Sequence, residues 1–105
     1  MADTGKRMAG PAFLAAAAAT LYTVPAATTT ILRYVRLVNN TAGPVAATLT
    51  IGADAAATRF VVVTVPANSA YDWTGMIPLA AGEVIQGFAG AASTVSVILA
   101  GVETA

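Results

Sequence analysis

The stretch from residue 30 to residue 40, Thr-Ile-Leu-Arg-Tyr-Val-Arg-Leu-Val-Asn-Asn, is the longest unbroken run of strand-forming residues in the chain. Its β-branched and aromatic residues favour a pleated, half-buried surface, and the closing Asn39-Asn40 pair favours a turn. A strand with one face in water alternates apolar and polar residues. Here both faces are apolar, and each carries one arginine, Arg33 or Arg36. The pattern predicts a central strand covered on both sides, and one of the covers can be another protein chain.

Short strand-forming runs fill most of the remaining sequence, with turn signals every 8 to 14 residues and no amphipathic helix of useful length. Proline or glycine ends several of the runs, because proline cannot donate to a strand ladder and glycine favours turns. Besides residues 30–39, we predict strands at residues 21–24, 45–51, 59–65, 71–73, 77–79, 83–89 and 95–99. The sequence therefore predicts an all-β, single-domain antiparallel β-sandwich or jelly-roll-like barrel of about eight short strands, spanning residues 21–105.

Residues 1–20 differ in character from the rest of the chain. Gly5, Gly10 and Pro11 interrupt the first half, and an alanine tract follows at residues 15–19. We interpret residues 1–20 as an extended, mobile N-terminal arm that is ordered on a neighbour. The apolar run at residues 8–19 is well short of the ~18–20 residues that span a bilayer, and Pro11 argues against a signal peptide. Residues 101–105 are interpreted as a tail.

The composition is unusually apolar for a soluble domain. Charged residues make up 10% of the chain, against roughly 25% in ordinary soluble domains, and hydrophobic residues make up 57%. Part of the excess is alanine, with 26 residues, which is only weakly hydrophobic. The remainder predicts self-association or docking onto a larger assembly, since one small domain exposes most of its residues. The net charge of zero gives no electrostatic reason to expect a nucleic acid or an acidic membrane as a partner.

The residue types that carry most enzyme chemistry are absent or scattered. There is no histidine and no cysteine, which excludes Ser-His-Asp and cysteine nucleophiles as well as the usual zinc ligands. The sole lysine, Lys6, lies in the predicted arm, and the glycines match no phosphate-binding motif. The acids lie far apart in the sequence, at Asp3, Asp54, Asp72, Glu83 and Glu103. We therefore expect no enzymatic activity, no cofactor and no metal.

Two groups of residues are candidates for a binding surface. Tyr71-Asp72-Trp73, with Asn68 nearby, could present a flat platform for a sugar ring; the alternative is that Trp73, the only tryptophan, fills the core or a subunit interface. Arg33, Arg36 and Arg59 could form a basic stripe or could pair with Asp54, Asp72 or Glu83, within or between chains. The predicted interface residues are Arg33, Tyr34, Arg36, Arg59, Tyr71 and Trp73.

Several short segments resemble a family of small structural proteins of tailed-bacteriophage virions. They are LYTVP at 21–25, TTTILR at 28–33, VNNT at 38–41, TIGAD at 50–54, YDWTG at 71–75, LAAGEVIQ at 79–86 and GVE at 101–103. The likeness covers about residues 14–103 and consists mostly of strand and turn residues. Such proteins are similar to capsid decoration (cement) proteins, and related sequences occur among minor tail components. The resemblance implies a β-sandwich present in many copies, with no catalytic residues to transfer.

The combined interpretation is a non-enzymatic virion protein, made in the host cytoplasm, that decorates and stabilises the assembled capsid from its surface. Its expected partners are the major capsid protein and further copies of itself, trimers included. Two alternatives stay open. One is a tail or tail-tip structural component, and the other is a carbohydrate- or receptor-binding module of the virion that uses Tyr71, Asp72 and Trp73.

Overall fold

The computed structural model describes the backbone of residues 3–104 and the side chains of residues 5–104. Within these bounds the chain is all-β, with eight strands in two four-stranded antiparallel sheets, as the sequence predicted. In chain order the strands are β1 (Asp3–Phe13), β2 (Ala19–Thr23), β3 (Thr29–Asn39), β4 (Val45–Ile51), β5 (Arg59–Val65), β6 (Ser69–Leu79), β7 (Val84–Ala89) and β8 (Val95–Thr104).

The two sheets have the strand order of a jelly roll. The first sheet runs β1-β8-β3-β6, and the second runs β2-β7-β4-β5. Each strand of the first half of the chain pairs antiparallel with one from the second half: β1 with β8, β2 with β7, β3 with β6, and β4 with β5. The chain thus forms one long antiparallel ribbon that wraps into a sandwich. This topology places β3 in the interior of its sheet, between β8 and β6.

The core lies between the sheets and comes from alternating positions of facing strands. In β8 every second residue from Val95 to Leu99 is fully buried, while Ser96 and Ile98 on the outer face are partly exposed. In β3 the buried apolar residues are Leu32, Val35 and Leu37. Fully burying a side chain of this size stabilises the fold by about 1.5–3 kcal/mol, so alternation of this kind fixes which face of each strand turns inward.

The predicted mobile arm is where the structure departs most from the sequence analysis. Residues Asp3–Phe13 form β1, which pairs with β8 along the edge of the first sheet, and Met8 and the following Leu14 are buried in the core. Gly10 and Pro11 were interpreted as breaks, but they lie where the pairing with β8 is irregular, and the peptide bond between them is cis. Edge strands tolerate proline and bulges in this way. Residues 1 and 2 of the predicted arm lie outside the described residues.

Two further predictions about strand ends need correction. The predicted strands at residues 71–73 and 77–79 are one strand, β6, and the residues between them contain a β-bulge in which Gly75 and Met76 lie opposite Arg33. The closing residues, predicted as a tail, continue β8 as far as Thr104, pairing with β1 on one side and β3 on the other; residue 105 lies outside the described residues. The strand number stays at eight because one strand is added and two predicted strands merge.

Candidate interaction surface

Tyr34 and Arg36, two of the predicted interface residues, lie on the outer face of the first sheet together with Asp72 of β6. The Tyr34 hydroxyl donates to Oδ1 of Asp72 at 3.0 Å, and Arg36 donates to the Tyr34 hydroxyl at 3.4 Å. Arg36 and Asp72 also form an ion pair at 3.6 Å, with 45% and 47% of the two side chains exposed. The hydrogen bond to Tyr34 and the charge of Asp72 raise the pKa of Arg36. Exposed pairs of this kind contribute at most about 1 kcal/mol, so the cluster leaves its polar groups available to a partner.

Arg33 lies at the bulge between Leu32 and Tyr34 and is exposed. Among the described side chains it makes no hydrogen bond and no ion pair. The expected pairing of Arg33 with Asp54, Asp72 or Glu83 is therefore not present in the described part of the chain. Its guanidinium is left with planar donors suited to a carboxylate on another molecule.

Arg59 lies at the start of β5, where its side chain binds Asp54 of the preceding loop and not the cluster that contains Arg36. Its Nε and one terminal nitrogen donate to the two carboxylate oxygens of Asp54 at 2.9 and 3.2 Å. The Arg59 bond lowers the pKa of Asp54. The structure thus places the three arginines in separate environments, and they do not form one basic stripe.

Tyr71 and Trp73 lie on the inner side of β6, half-buried against the core. Trp73 packs edge-to-face on Phe60 of β5, with ring centroids 5.9 Å apart and planes at 75°, so it closes one side of the sandwich between the two sheets. Asp72 points to the opposite face, where it contacts Tyr34. The platform formed by Tyr71, Asp72 and Trp73 together, which the carbohydrate-binding alternative requires, is therefore not assembled.

Three large apolar side chains that the sequence analysis did not single out are more exposed than buried. Phe13 at the end of β1 is 55% exposed, Val62 in β5 is 68% exposed, and Met76 in the β6 bulge is 67% exposed. An open depression of about 250 Å³ lies beside Phe13 and is lined by Pro11, Ala12 and Ser96 as well. Strand periodicity tells which residues share a face, but it does not tell which outer face lacks a cover, so these three residues were missed.

No family model and no curated protein matches this sequence. A solved structure of similar fold comes from Bacillus endospore appendages, described as a family of disulfide-linked pili. It superposes on 96% of this chain and 86% of its own chain, with a TM-score of 0.51 and 15% sequence identity. A likeness at that identity concerns the fold alone, because one fold hosts many functions. The disulfide linkage named for those pili has no counterpart in this sequence, which contains no cysteine.

Two polar networks that join the sheets were also missed by the sequence analysis. Glu103 of β8 accepts hydrogen bonds from the Tyr22 hydroxyl and from Lys6, and the Tyr22 hydroxyl lies 2.9 Å from the hydroxyl of the fully buried Thr30. Burial, followed by the bond to Glu103, raises the pKa of Tyr22. The second network surrounds Asn39 at the other end of β3. The sequence carries a local signal for the second network only, because Asn39 lies beside a predicted turn. It carries none for the first network, since Lys6 and Glu103 are 97 positions apart in the chain.

Residues 3–104 contain no cluster of three or more acidic, histidine or cysteine side chains placed to hold a metal ion. The same part of the chain contains no helix with the length and apolar character needed to cross a bilayer. What the described surface offers is an exposed polar cluster, a free arginine and three exposed apolar side chains, all of which suit contact with another macromolecule.

Proposed function

We propose that this chain is a non-enzymatic structural protein of a tailed-bacteriophage virion, and specifically a capsid decoration protein that binds the assembled head. The observation that carries the proposal is the exposure of Phe13, Val62 and Met76, each more than half exposed. Fully burying a side chain of this size is worth about 1.5–3 kcal/mol, so a partner that covered the exposed part of each would gain a share of that figure. Apolar side chains that one chain leaves exposed can be covered by a neighbouring molecule of an assembly.

The outer face of β3 supports the same proposal. The chain covers the inner side of this strand completely at Leu32, Val35 and Leu37. On the outer side Tyr34 and Val38 remain partly exposed and Arg36 is exposed, with no layer of this chain above them. Aromatic residues and arginine are enriched in protein interfaces. The resemblance to virion decoration proteins supports the major capsid protein and other copies of this chain, in a trimer or another oligomer, as the proposed cover.

The proposed mechanism is mass action. A protein that binds neighbouring subunits of the assembled shell, and not the separated subunits, shifts the equilibrium toward the shell. The stabilisation grows with the concentration of the free decoration protein relative to its dissociation constant. Such a role needs no catalytic group, and it fits a rigid sandwich whose outer surfaces carry the contacts.

The proposal is tested by adding the purified chain to heads that lack it and measuring bound copies by sedimentation and densitometry. We expect saturable binding and a higher temperature of head disruption. Met76→Ser should weaken binding about tenfold, which corresponds to ~1.4 kcal/mol, whereas Ala70→Ser, at an exposed position of the same strand, should not. Absence of binding to heads would contradict the proposal. Electron microscopy of whole virions separates it from the tail alternative, because a tail component would label the tail instead of the head.

A further inference from the structure

The two sheets leave four edge strands, β1 and β6 in the first and β2 and β5 in the second. Edge strands of soluble proteins usually carry devices that prevent pairing with another chain, such as proline, charge, bulges or short length. β1 has three charged residues, Pro11 and irregular pairing; β6 has Pro78 and a bulge; β2 has five residues and a bulge. Three of the four edges are therefore protected.

β5 is the exception. Its sequence is Arg-Phe-Val-Val-Val-Thr-Val, without proline or glycine. Its one charge is Arg59 at the first position, which is paired with Asp54, and its one pairing irregularity lies beside that residue. From Phe60 to Val65 the strand is uncharged and rich in β-branched residues, the composition that pairs most readily with another strand.

The direction of the backbone groups on β5 follows from its neighbours. The Gly90 N–H donates to the Ala46 carbonyl at 2.9 Å, so Ala46 points toward β7. Backbone groups alternate along a strand, so Ala47, the next residue of β4, points toward β5, where its partner is Val63. By the same alternation, the N–H and C=O groups of Val62 and Thr64 point away from β4, toward the open edge.

The side chains at these positions are also free to meet another strand. Val62 is 68% exposed and Thr64 is exposed, and both lie on the outer face of the second sheet. A strand that pairs with its own copy about a two-fold axis is always antiparallel, and the same residues then serve both copies. Because residues 60–65 carry no charge, the two copies meet without like-charge repulsion.

We propose that β5 joins two copies of this chain, each adding its β5 antiparallel to the other's, so that two four-stranded sheets become one continuous sheet. The inference rests on the proposed structural role, for which it supplies the self-association surface. With the two-fold axis at Val63, Val62 of each copy lies opposite Thr64 of the other, and each such pair exchanges two N–H···O=C bonds. The occupant of the open edge is thus a second copy of the same strand.

Light scattering on the whole protein across the micromolar range gives the first test. We expect a particle of twice the 10.4 kDa chain mass. Thr64→Pro removes an N–H that points away from β4 toward the open edge, and Val62→Lys places two positive charges near each other across the axis. Both variants should give the single-chain mass, while Thr74→Lys, which adds the same charge on β6, should stay dimeric. Because the two β5 substitutions differ in chemistry, the test survives if one variant fails to fold. Circular dichroism shows whether each variant is folded.

The register has its own test, because the chain has no cysteine to confuse it. Val63→Cys places two thiols at directly opposed positions across the axis, so mild oxidation should give a covalent dimer, whereas Thr74→Cys should not. A wild-type protein that stays monomeric, or a dimer that survives both β5 variants, would overturn the inference. If β5 pairs instead with a different protein, this chain should be monomeric alone and should form a complex only when that protein is present. That result would also contradict the inference. A monomeric wild-type protein that binds heads would contradict this inference alone, whereas a β5-linked dimer that binds no heads would contradict the proposed function alone.

Discussion

Asn39 is a buried polar side chain with every hydrogen-bonding group in use. Its Nδ2 donates to the carbonyls of Gly43, Val65 and Pro66 at 2.9, 3.0 and 3.2 Å, and its Oδ1 accepts from the backbone N–H and the hydroxyl of Thr41. Asn39 ends β3 in the first sheet, and Val65 ends β5 in the second. One amide therefore fixes a turn and ties the two sheets together, which explains how a polar residue is accommodated with no exposed surface.

Replacing Asn39 with alanine should lower the free energy of unfolding by about 2–4 kcal/mol, because several buried backbone groups lose their partners together. Asn40→Ala is the matched control, since Asn40 is the exposed next residue, and it should change stability by less than about 0.5 kcal/mol. Urea unfolding monitored by tryptophan fluorescence measures both. Equal stability of the two variants would mean that the Asn39 bonds contribute nothing net.

Gly101 is required by close approach between strands. A Cβ at this position would overlap the backbone carbonyl oxygen of Ile31 and would lie 2.9 Å from the sulfur of Met8. Gly101→Ala should therefore cost about 1–3 kcal/mol, as overpacked sites do. Gly5 lies on the neighbouring strand β1 with nothing within 4 Å of its Cβ position, so Gly5→Ala should be close to neutral. Thermal unfolding of the two variants side by side decides the prediction, and a neutral Gly101→Ala would contradict it.

At the scale of elements, strands with clear ends were predicted well. The predicted strands at residues 45–51 and 59–65 coincide with β4 and β5, because a turn or a proline bounds each run. β1 was missed because glycine and proline, which normally break structure, lie at irregular positions of an edge strand. A segment with such residues becomes a strand only if the folded sheet offers it an unpaired edge strand to pair with. Here the partner is β8 at the other end of the chain, and no local pattern reports that.

The assignment of β1 to the sheet, rather than to a mobile arm, predicts its hydrogen exchange. Alternate amides between Gly5 and Phe13 should exchange about as slowly as those of β2, an edge strand of the other sheet, because β8 binds them. The exposed alanine loop at residues 15–18 is the internal control and should exchange rapidly. Exchange of the β1 amides at the rate of that loop, measured by NMR on the intact protein, would restore the mobile-arm interpretation.

At the scale of the whole molecule, the apolar composition did not indicate where the exposed apolar side chains would lie. Tyr34 and Arg36 lie on an outer face as expected of interface residues, but Tyr71 and Trp73 turn inward. The exposed residues Phe13, Val62 and Met76 were not predicted. Composition reports how much apolar surface a chain carries, whereas its distribution depends on which strands end up at edges. That is a property of the topology, which local periodicity does not encode.

The Glu103 network makes the stability of the molecule depend on pH. The hydrogen bond from Tyr22 lowers the pKa of Glu103 below its ordinary value of 4.5, and burial opposes the shift. A carboxylate whose pKa is depressed by folding adds stability above its unfolded pKa, and this contribution is lost as the pH falls through the folded pKa. Asp54, whose pKa Arg59 also lowers, acts in the same direction. Acidification below about pH 4.5 should therefore weaken the contacts between the sheets.

Glu103→Gln provides the test, because glutamine keeps an acceptor for Tyr22 but takes up no proton. The variant should be less stable than the wild type at pH 7, since it lacks the charge that attracts Lys6. Between pH 5 and pH 3 it should lose less stability than the wild type does, because one group that binds protons on unfolding has been removed. Urea midpoints at the three pH values measure both effects. Glu83→Gln is the control, since the Glu83 side chain is exposed and accepts a hydrogen bond from the Ala80 N–H of its own turn. Parallel pH profiles for wild type and Glu103→Gln would show that Glu103 does not supply the acid-sensitive link between the sheets.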